Sequence, residues 1–296
     1  MQPPYPKDVT DPDTLMQAAV SALLARDLAQ AHELIRRAVA IGHVDAALME
    51  IALVANGSGL SADWMAARRL LETAAANDPV AAGQRALVEK MALDEVGAPI
   101  CRPTGESLSR TPNVTLFRAF LDPAECRHVA SVAAAVMEPS QVIDRRGEAV
   151  ANPVRRCDNG TIGPTREDLV VRAINLRIAS ASDSDVTQGE PLTVLRYAPG
   201  QEYRPHFDAL PNADNQRIKT VLVYLNEGFG GGETLFLSSG LKVAPRAGDA
   251  ILFDNMMADG AIDMQSQHAG LPVTHGTKWL ATRWIRAKPH NPWNPD

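Results

Sequence analysis

The stretch KTVLVYLN at residues 219–226 decides the class of fold, because it has the composition of a buried strand and a glycine-rich turn follows it. Similar short segments lie at 191–199 (PLTVLRYAP), 231–238 (GGETLFLS), 248–255 (GDAILFDN) and 278–286 (KWLATRWIR). Two segments with helical spacing precede them, at 121–136 and 167–182, and Asp122 followed by Pro123 predicts the start of the first helix. Helices followed by many strands, without βαβ alternation, predict an α+β domain built on a β-sandwich or barrel.

The N-terminal third of the chain has a different pattern. Residues 14–97 are rich in alanine and leucine at helical spacing, and residues 30–47 match residues 66–83 at an offset of 36. A period of this length is typical of helical-hairpin repeats, and the segment resembles the tetratricopeptide-like class. The alternative is an alanine-rich helical bundle without a repeat. We therefore predict an all-α helical-repeat domain at 1–97, a linker rich in Pro, Gly and Ser at 98–111, and a second domain at 112–296.

The composition excludes several classes of protein. The 296 residues are 45% hydrophobic and 22% charged, which is typical of globular proteins, and the net charge of -6 predicts no nucleic-acid partner. No apolar run reaches membrane-spanning length, so we expect no membrane partner. Three scattered cysteines without a CxxC pair favour a reducing compartment, and we predict a cytoplasmic protein. The oligomeric state stays open.

A candidate metal site begins in YRPHFD, residues 203–208. In an extended backbone, residues i and i+2 face the same way, so His206 and Asp208 are able to reach one metal ion. A second histidine from a distant strand would complete the two-histidine, one-carboxylate set that holds Fe(II) and leaves positions open. His268 and His275 are both candidates for that place. No HExxH motif is present, which disfavours a zinc protease.

Lys278 opens the last predicted strand, and its direction is open. It shares one face of that strand with Leu280, Thr282 and Trp284, but the opposite face is also apolar. A lysine that points inward requires an anionic partner, such as a dicarboxylate cosubstrate. A lysine that points outward places its ammonium in water.

The blocks HFD, QRIKTVLVYLNEGFGGGETLF, GDAILF and HAGLPVTHGTKWLATRWI, in this order, resemble the catalytic domain of the prolyl 4-hydroxylase family. The resemblance covers residues 112–287 and is dense from Leu192 onward. It implies a double-stranded β-helix (a jelly roll) with supporting helices. It also implies Fe(II), 2-oxoglutarate as cosubstrate, O2, and ascorbate as reductant.

The same resemblance implies roles for individual residues. The family's iron ligands fall on His206, Asp208 and His268, which leaves His275 as a surface residue. Its lysine for the distal carboxylate of 2-oxoglutarate falls on Lys278. The hydrogen-bonding companions of that lysine fall on Tyr197 and Thr234, for which the alternatives are a core tyrosine and an ordinary strand residue.

Residues that resemble the substrate-side groups of the family are Arg156, Tyr203, Arg217 and Trp284. The two aromatic residues would flank a proline ring, and the two arginines would hold peptide carbonyls. Each has a plainer reading as a core aromatic or a solvated arginine. The chain departs from the family at CDNG, residues 157–160, where the family has a Ser/Thr run, and in the short loop before Arg217. Both segments border the expected peptide groove.

The resemblance implies hydroxylation of a peptidyl prolyl or similar residue, with 2-oxoglutarate converted to succinate and CO2. A peptide or protein is then the expected partner, recruited by the N-terminal repeats. Two alternatives stay open. One is a hydroxylase of a free amino acid or other small molecule, and the other is a metal-binding interaction module without turnover. The presence of His206, Asp208, His268 and Lys278 together argues against the module.

Overall fold

The computed structural model describes residues 11–143, 149–151, 154–244 and 246–294. The chain divides into two compact units. One consists of Met1–Ile100 with Gly163–Ile174, and the other of Cys101–Ile162 with Asn175–Asp296. The predicted domain limits of 1–97, 98–111 and 112–296 stay a prediction.

Five helices lie within the described residues 11–100: α1 Pro12–Leu24, α2 Leu28–Ala40, α3 Val44–Asn56, α4 Trp64–Ala74 and α5 Pro79–Val88. The side chains of Asp27 and Asp63 cap α2 and α4, and each accepts a hydrogen bond from the backbone N–H three residues later. Ala31 and Ala67, one turn into these helices, are both fully buried, which lets neighbouring helices approach closely. These two pairs lie 36 residues apart, the predicted offset. The tetratricopeptide-like class of the segment stays a prediction.

Two further helices are α6 Pro123–Ala134 and α7 Leu169–Ser182. The strands in chain order are β1 Glu106–Arg110, β2 Asn113–Phe117, β3 Glu138–Pro139, β4 Gln141–Ile143, β5 Ala149–Ala151, β6 Asp158–Ile162, β7 Leu192–Tyr197, β8 Tyr203–His206, β9 Arg217–Tyr224, β10 Gly230–Gly231, β11 Thr234–Phe236, β12 Lys242–Val243, β13 Ala250–Asp254, β14 His268–Gly270, β15 Val273–His275 and β16 Lys278–Arg286. Among the described residues, no helix combines the length and the apolar character required to cross a membrane.

The strands form antiparallel sheets. The large sheet has eight strands in the order β1-β2-β13-β9-β16-β7-β6-β3, and a smaller sheet has four in the order β12-β11-β14-β8. One apolar core joins them: Phe236 of the small sheet packs with Tyr224, Phe253 and Leu280 of the large sheet, and Phe236 and Phe253 meet edge to face with centroids 5.2 Å apart. The predicted α+β class and jelly-roll architecture are confirmed.

The two faces of β16 carry different groups. Lys278, Leu280, Thr282 and Trp284 alternate onto the face that lines a cavity between the sheets. Arg283 belongs to the opposite face and is 3% exposed. The strand pairs with β7 on one side and β9 on the other, so it is central in the large sheet. A central strand holds its side chains in a fixed register, which suits the cavity face for a binding site.

Arg283 ties the back of β16 to three neighbouring segments. Its guanidinium donates hydrogen bonds to the backbone carbonyls of Asn175, Val186 and Glu190, at 2.9, 3.0 and 3.0 Å. Gly189 lies directly against this guanidinium, and a Cβ at that position would stand 2.3 Å from its Cζ atom. The arginine therefore needs a neighbour without a side chain.

A buried ion pair connects α6 to α7. Glu125 closes the N-terminal capping box of α6, and both of its oxygens accept hydrogen bonds from Arg177, at 2.7 and 2.8 Å. The Glu125 side chain is 5% exposed and that of Arg177 is 15% exposed. Removing one partner from such a pair leaves a buried charge without its counterion, which is strongly destabilising.

We expect Arg177→Met to lower the free energy of unfolding of the full chain by about 3–5 kcal/mol, measured by urea denaturation. Arg118→Met is the matched control, since Arg118 is also paired with a buried carboxylate but is 60% exposed. Its partner Asp249 keeps hydrogen bonds from two backbone N–H groups. The control should lose less than about 1 kcal/mol, and equal losses in the two variants would contradict this account.

Candidate active site

The register of β8 with β14 places two histidines directly opposite each other. His206 ends β8, His268 begins β14, and the two are direct partners in the antiparallel pair. Their rings lie 4.3 Å apart, centroid to centroid. Aromatic rings surround the pair, because Tyr203 stacks on His206 at 3.5 Å and Phe253 contacts His268 at 4.8 Å. The sheet itself therefore sets the distance between the imidazoles.

Hydrogen bonds fix the tautomer of both histidines. Nδ1 of His206 lies 2.8 Å from the carbonyl oxygen of Arg204, and Nδ1 of His268 lies 3.0 Å from that of Ser266. A carbonyl oxygen only accepts, so in each ring Nδ1 carries the proton and donates it. The Nε2 atoms keep their lone pairs, which is the form that binds a metal ion.

Asp208 completes the cluster from the bend that follows β8. Its Oδ1 lies 3.6 Å from Nε2 of His206, and its Oδ2 lies 3.8 Å from Nε2 of His268. One ligand atom from each of the three residues lies within 4.8 Å of the other two. The strand ends before Asp208, so the bend, and not an extended backbone, turns this carboxylate toward the histidines.

The electrostatics of the cluster keep it in its metal-binding form. Burial by itself raises the pKa of Asp208, but His268, His206 and a hydrogen bond from Thr220 outweigh burial and hold that pKa below its ordinary value. Burial lowers the pKa of His268 to about 4. At neutral pH the site thus offers an ionised carboxylate and a neutral imidazole.

This donor set fits a divalent iron ion. Two imidazole nitrogens and one carboxylate on one side of a cavity are the facial triad that holds Fe(II) and leaves its other positions open. The side chains of His206, Asp208 and His268 are 11%, 5% and 5% exposed, so the donors are shielded from bulk water. A cavity lined by all three residues and by Lys278 adjoins them. The open positions of a bound metal ion would face this cavity.

Lys278 lies inside this cavity, which answers the question left open by the sequence. It is 2% exposed, and Nζ donates a hydrogen bond of 2.6 Å to the carbonyl of Gly232. Burial lowers its pKa to about 7, partly offset by Glu233. Among the described residues, no carboxylate forms an ion pair with this ammonium. A buried cation of this kind fits an anionic ligand in the cavity.

The predicted companions of Lys278, Tyr197 and Thr234, line the same cavity. Tyr197 is its direct partner across β7 and β16, and the ring of Tyr197 lies 5.3 Å from Nζ. Tyr224 brings a second ring to 5.1 Å, and its hydroxyl lies 2.5 Å from that of Thr234. All four residues are buried. Sequence reasoning missed Tyr224, although alternation within β9 places it on the core face.

Thr282 is a further cavity residue that sequence reasoning did not assign to the site. It is 1% exposed, and its hydroxyl finds no hydrogen-bond partner among the described residues. A buried hydroxyl without a partner costs free energy unless a ligand or water supplies one. Its place four residues after Lys278 on the same face of β16 was the available signal.

The predicted substrate-side residues differ in their surroundings. Trp284 is 7% exposed and lines the cavity. The guanidinium of Arg217 lies 3.9 Å from the centre of the Trp284 ring, in a cation–π contact. Arg217 also donates two hydrogen bonds to the carboxylate of Glu190, at 2.6 and 2.8 Å, and Arg286 donates a third at 2.6 Å. Glu190 therefore holds two arginines in place, a role that sequence reasoning missed.

Arg156 and its neighbour Arg155 lie in different environments. The side chain of Arg156 is exposed, and its backbone N–H donates to the carbonyl of Glu202. Arg155 is half-buried, with its guanidinium 5.9 Å from the ring centre of Tyr203. Tyr203 in turn lines the cavity, and burial raises its pKa to about 12. The structure thus places Arg155, and not Arg156, beside the cavity-lining ring of Tyr203.

Comparison with known proteins agrees with this site. Residues 192–286 match the model of the 2OG-Fe(II) oxygenase superfamily. Prolyl 4-hydroxylase 5 of Arabidopsis thaliana is 36% identical over 204 residues, covering 61% of this chain and 70% of the relative. The chain belongs to the prolyl 4-hydroxylase family. Enzymes of this family are 2-oxoglutarate-dependent oxygenases that use Fe(II) and O2, for which the His-Asp-His cluster is the expected centre.

Other members of the prolyl 4-hydroxylase family give similar matches. Probable prolyl 4-hydroxylase 7 of Arabidopsis thaliana is 36% identical over 205 residues, and the chain spans 65% of its length. Among solved structures, the viral collagen prolyl hydroxylase of Paramecium bursaria Chlorella virus-1 is 29% identical, with a TM-score of 0.49 over 59% of this chain and 96% of the viral chain.

The site makes a direct prediction about metal binding. We expect His206→Ala, Asp208→Ala and His268→Ala each to weaken Co(II) binding at least about 100-fold, because each removes one of three ligands. Co(II) is a stable substitute for Fe(II), and its affinity follows from titration of the cobalt absorption bands.

His275→Ala is the matched control. His275 ends β15 on the exposed surface, so its loss should leave Co(II) affinity and melting temperature unchanged. Weakened binding in the His275 variant together with normal binding in the His268 variant would reverse the assignment.

Proposed function

We propose that this chain hydroxylates a peptidyl prolyl or similar residue and converts 2-oxoglutarate to succinate and CO2. The observation that carries the proposal is the presence, around one cavity, of the His206, Asp208 and His268 cluster and the buried ammonium of Lys278. The first fits Fe(II), and the second fits one end of a dicarboxylate. A site with only a structural role would not require both the His-Asp-His cluster and the buried lysine.

His206, Asp208 and His268 would hold Fe(II) through Nε2, a carboxylate oxygen and Nε2. When bound there, Fe(II) supplies the activation of O2 that couples oxidation of 2-oxoglutarate to hydroxylation of a C–H bond. The protein orients the metal ligands and excludes water from the site. The carbonyls of Arg204 and Ser266 orient the two imidazoles, and the core packing around Phe236 keeps water away.

Lys278, Tyr197 and Thr234 would bind the distal carboxylate of 2-oxoglutarate. The ammonium supplies the opposite charge, and a charge-assisted hydrogen bond in a dry cavity is stronger than one in water. Thr282, whose hydroxyl is buried without a partner among the described residues, offers a further donor. Leu195, Leu222 and Leu280 line the rest of the cavity and exclude water.

Tyr203 and Trp284 would flank the target ring of the substrate. Both line the cavity beside the histidines. Arg156 and Arg217 are the proposed contacts for peptide carbonyls, with Glu190 and the Trp284 ring holding the Arg217 guanidinium in place. The relatives carry the name prolyl 4-hydroxylase, which supports a prolyl target.

The N-terminal helices, a reductant and a reducing compartment would also support the reaction. The N-terminal helices would recruit the protein substrate and so raise its local concentration at the oxygenase domain, 112–296. Ascorbate would serve as the reductant. The three cysteines Cys101, Cys126 and Cys157 are free, which supports a reducing compartment such as the cytoplasm.

The decisive experiment combines the full chain with Fe(II), ascorbate and 2-oxoglutarate, and adds a proteome either intact or digested. We expect peptides that gain one oxygen atom on proline, more succinate when substrate is present, and higher activity on intact proteins than on their digests. Asp208→Ala is the control for all three measurements.

Other outcomes of the same experiment would overturn parts of the proposal. Oxygen found only on a free amino acid or another small molecule would favour the small-molecule hydroxylase. Equal activity on intact and digested protein would remove the recruiting role of the helices. Binding of Fe(II) without consumption of 2-oxoglutarate under any condition would favour an interaction module.

Lys278 makes 2-oxoglutarate binding dependent on pH. Its pKa of about 7 in the free protein means that the amine becomes neutral above that pH, while the bound carboxylate requires an ammonium. The groups that face it are Glu233, Cys157, Tyr197 and Tyr224. Burial raises the pKa of the last three, so they stay neutral in the same range. We expect the Kd of 2-oxoglutarate, measured by calorimetry, to rise about tenfold per pH unit above 7.

Two variants of Lys278 separate charge from position. Lys278→Ala should weaken 2-oxoglutarate binding by about 2–5 kcal/mol at pH 6.5 or any other pH below the pKa (~7), while Co(II) still binds. Lys278→Arg keeps its charge at every accessible pH, so whatever affinity it retains should not change with pH. A pH dependence that persists in Lys278→Arg would assign it to another group.

A further inference from the structure

A chain of hydrogen bonds reaches Asp208 from the large sheet. The hydroxyl of Thr220, on β9, donates a hydrogen bond of 2.7 Å to Oδ2 of Asp208. The side-chain amide of Asn255, directly after β13, donates one of 2.9 Å to Oγ1 of Thr220. Thr220 and Asn255 are both fully buried, and Asp208 is 4% exposed. The contact is therefore shielded from water along its whole length.

The direction of this chain is fixed by chemistry. An amide nitrogen only donates, an ionised carboxylate only accepts, and the hydroxyl of Thr220 has a single proton. Since that hydroxyl accepts from Asn255, its proton is committed to Oδ2 of Asp208. The opposite orientation of the Asn255 amide would place two acceptors on one proton.

The backbone holds both donors in place. Thr220 pairs with Phe253 in the register of β9 with β13. The backbone N–H of Asn255 donates to the carbonyl of Ile218 at 2.8 Å. The backbone carbonyl of Asn255 accepts a hydrogen bond from the backbone N–H of Asp263 at 2.9 Å. The sheet therefore fixes Asn255 relative to Thr220. The hydroxyl of Thr220 in turn fixes the carboxylate of Asp208.

Burying Asn255 at this position has a high free-energy cost. Its Oδ1 is buried and finds no hydrogen-bond partner within the described part of the chain. A buried polar atom without a partner destabilises a fold by about 1–3 kcal/mol. A leucine of similar size would fill the space without that loss. The amide is therefore explained by what its nitrogen does for Thr220.

We infer that Thr220 and Asn255 are positioning residues that hold Asp208 by Oδ2 and leave Oδ1 as its single metal-ligating oxygen. The inference rests on the proposed function, since it requires a metal at the His206, Asp208 and His268 cluster. A carboxylate free to rotate is able to ligate with both oxygens, which would occupy a position needed by the cosubstrate. A hydrogen bond that engages Oδ2 opposes that arrangement.

The test measures Co(II) binding to the full chain and the cobalt absorption spectrum, which reports the coordination number. We expect Thr220→Val, which keeps the shape and removes the hydroxyl, to weaken Co(II) binding about 10–100-fold and to change the spectrum. Thr220→Ser restores a hydroxyl and should restore both values. Thr193→Val is the matched control, because Thr193 is also a buried strand threonine with a hydroxyl partner, Thr161, and makes no hydrogen bond to the metal cluster.

A double variant tests whether Asn255 acts through Thr220. Asn255→Leu should weaken Co(II) binding less than Thr220→Val, because the hydroxyl loses its orientation and keeps its proton. Adding Asn255→Leu to Thr220→Val should cause no further loss. Additive losses would mean that the two residues act independently, and the proposed hydrogen-bond path from Asn255 through Thr220 to Asp208 would be wrong.

The remaining outcomes are also decisive. Unchanged affinity and spectrum in Thr220→Val, with normal binding by the wild-type chain, would overturn this inference alone. Absence of Co(II) binding by the wild-type chain would overturn the metal centre and this inference together. If Thr220→Val does not fold, judged by its melting temperature, wild-type binding and spectrum in Asn255→Leu would overturn the inference, and weakened binding would support it.

Discussion

The pairing of β8 with β14 is the constraint on which the site depends. It puts His206 opposite His268 within a four-stranded sheet that packs on the large sheet through one apolar core. A shift of one residue in this register would turn one imidazole to the other face and separate the donors. The sheet therefore sets the distance between the two imidazoles, and the bend after β8 adds the carboxylate of Asp208.

Three of the buried charges, Asp208, Glu190 and Lys278, are balanced in different ways. Asp208 is balanced by neighbouring imidazoles and a hydroxyl. Glu190 is balanced by two arginines, one of which lies against Trp284. Lys278 is left with backbone and aromatic contacts. A buried charge with its counterion stabilises a fixed structure, whereas a buried charge without one is suited to receive a ligand.

Much of the catalytic domain could be predicted from sequence, because strand composition and ordered motifs are local signals. His206 and Asp208 are two residues apart, and the block around His268 is distinctive. The strand pattern alone did not predict the direction of Lys278, because both faces of β16 are apolar, and only the family resemblance implied that it faces the cavity.

The supporting contacts were out of reach for a related reason. Thr220 and Asn255 are 35 residues apart and meet only through the register of β9 with β13. Arg155 and Arg156 are adjacent arginines, and the sequence does not reveal which one the backbone turns toward Tyr203. Such contacts depend on the phase of a strand against its neighbours, which leaves little trace in local composition.

Gly189 illustrates how such a contact shapes the variation that a protein tolerates. Its backbone has φ -78°, which any residue adopts, so no special conformation requires a glycine. Space does, because the Arg283 guanidinium fills the volume where a side chain would begin. Among relatives that keep this arginine, selection should keep the glycine as well, and the two positions should vary together. An invariant glycine at 189 would then record the shape of an arginine on the back of β16, far from any chemistry.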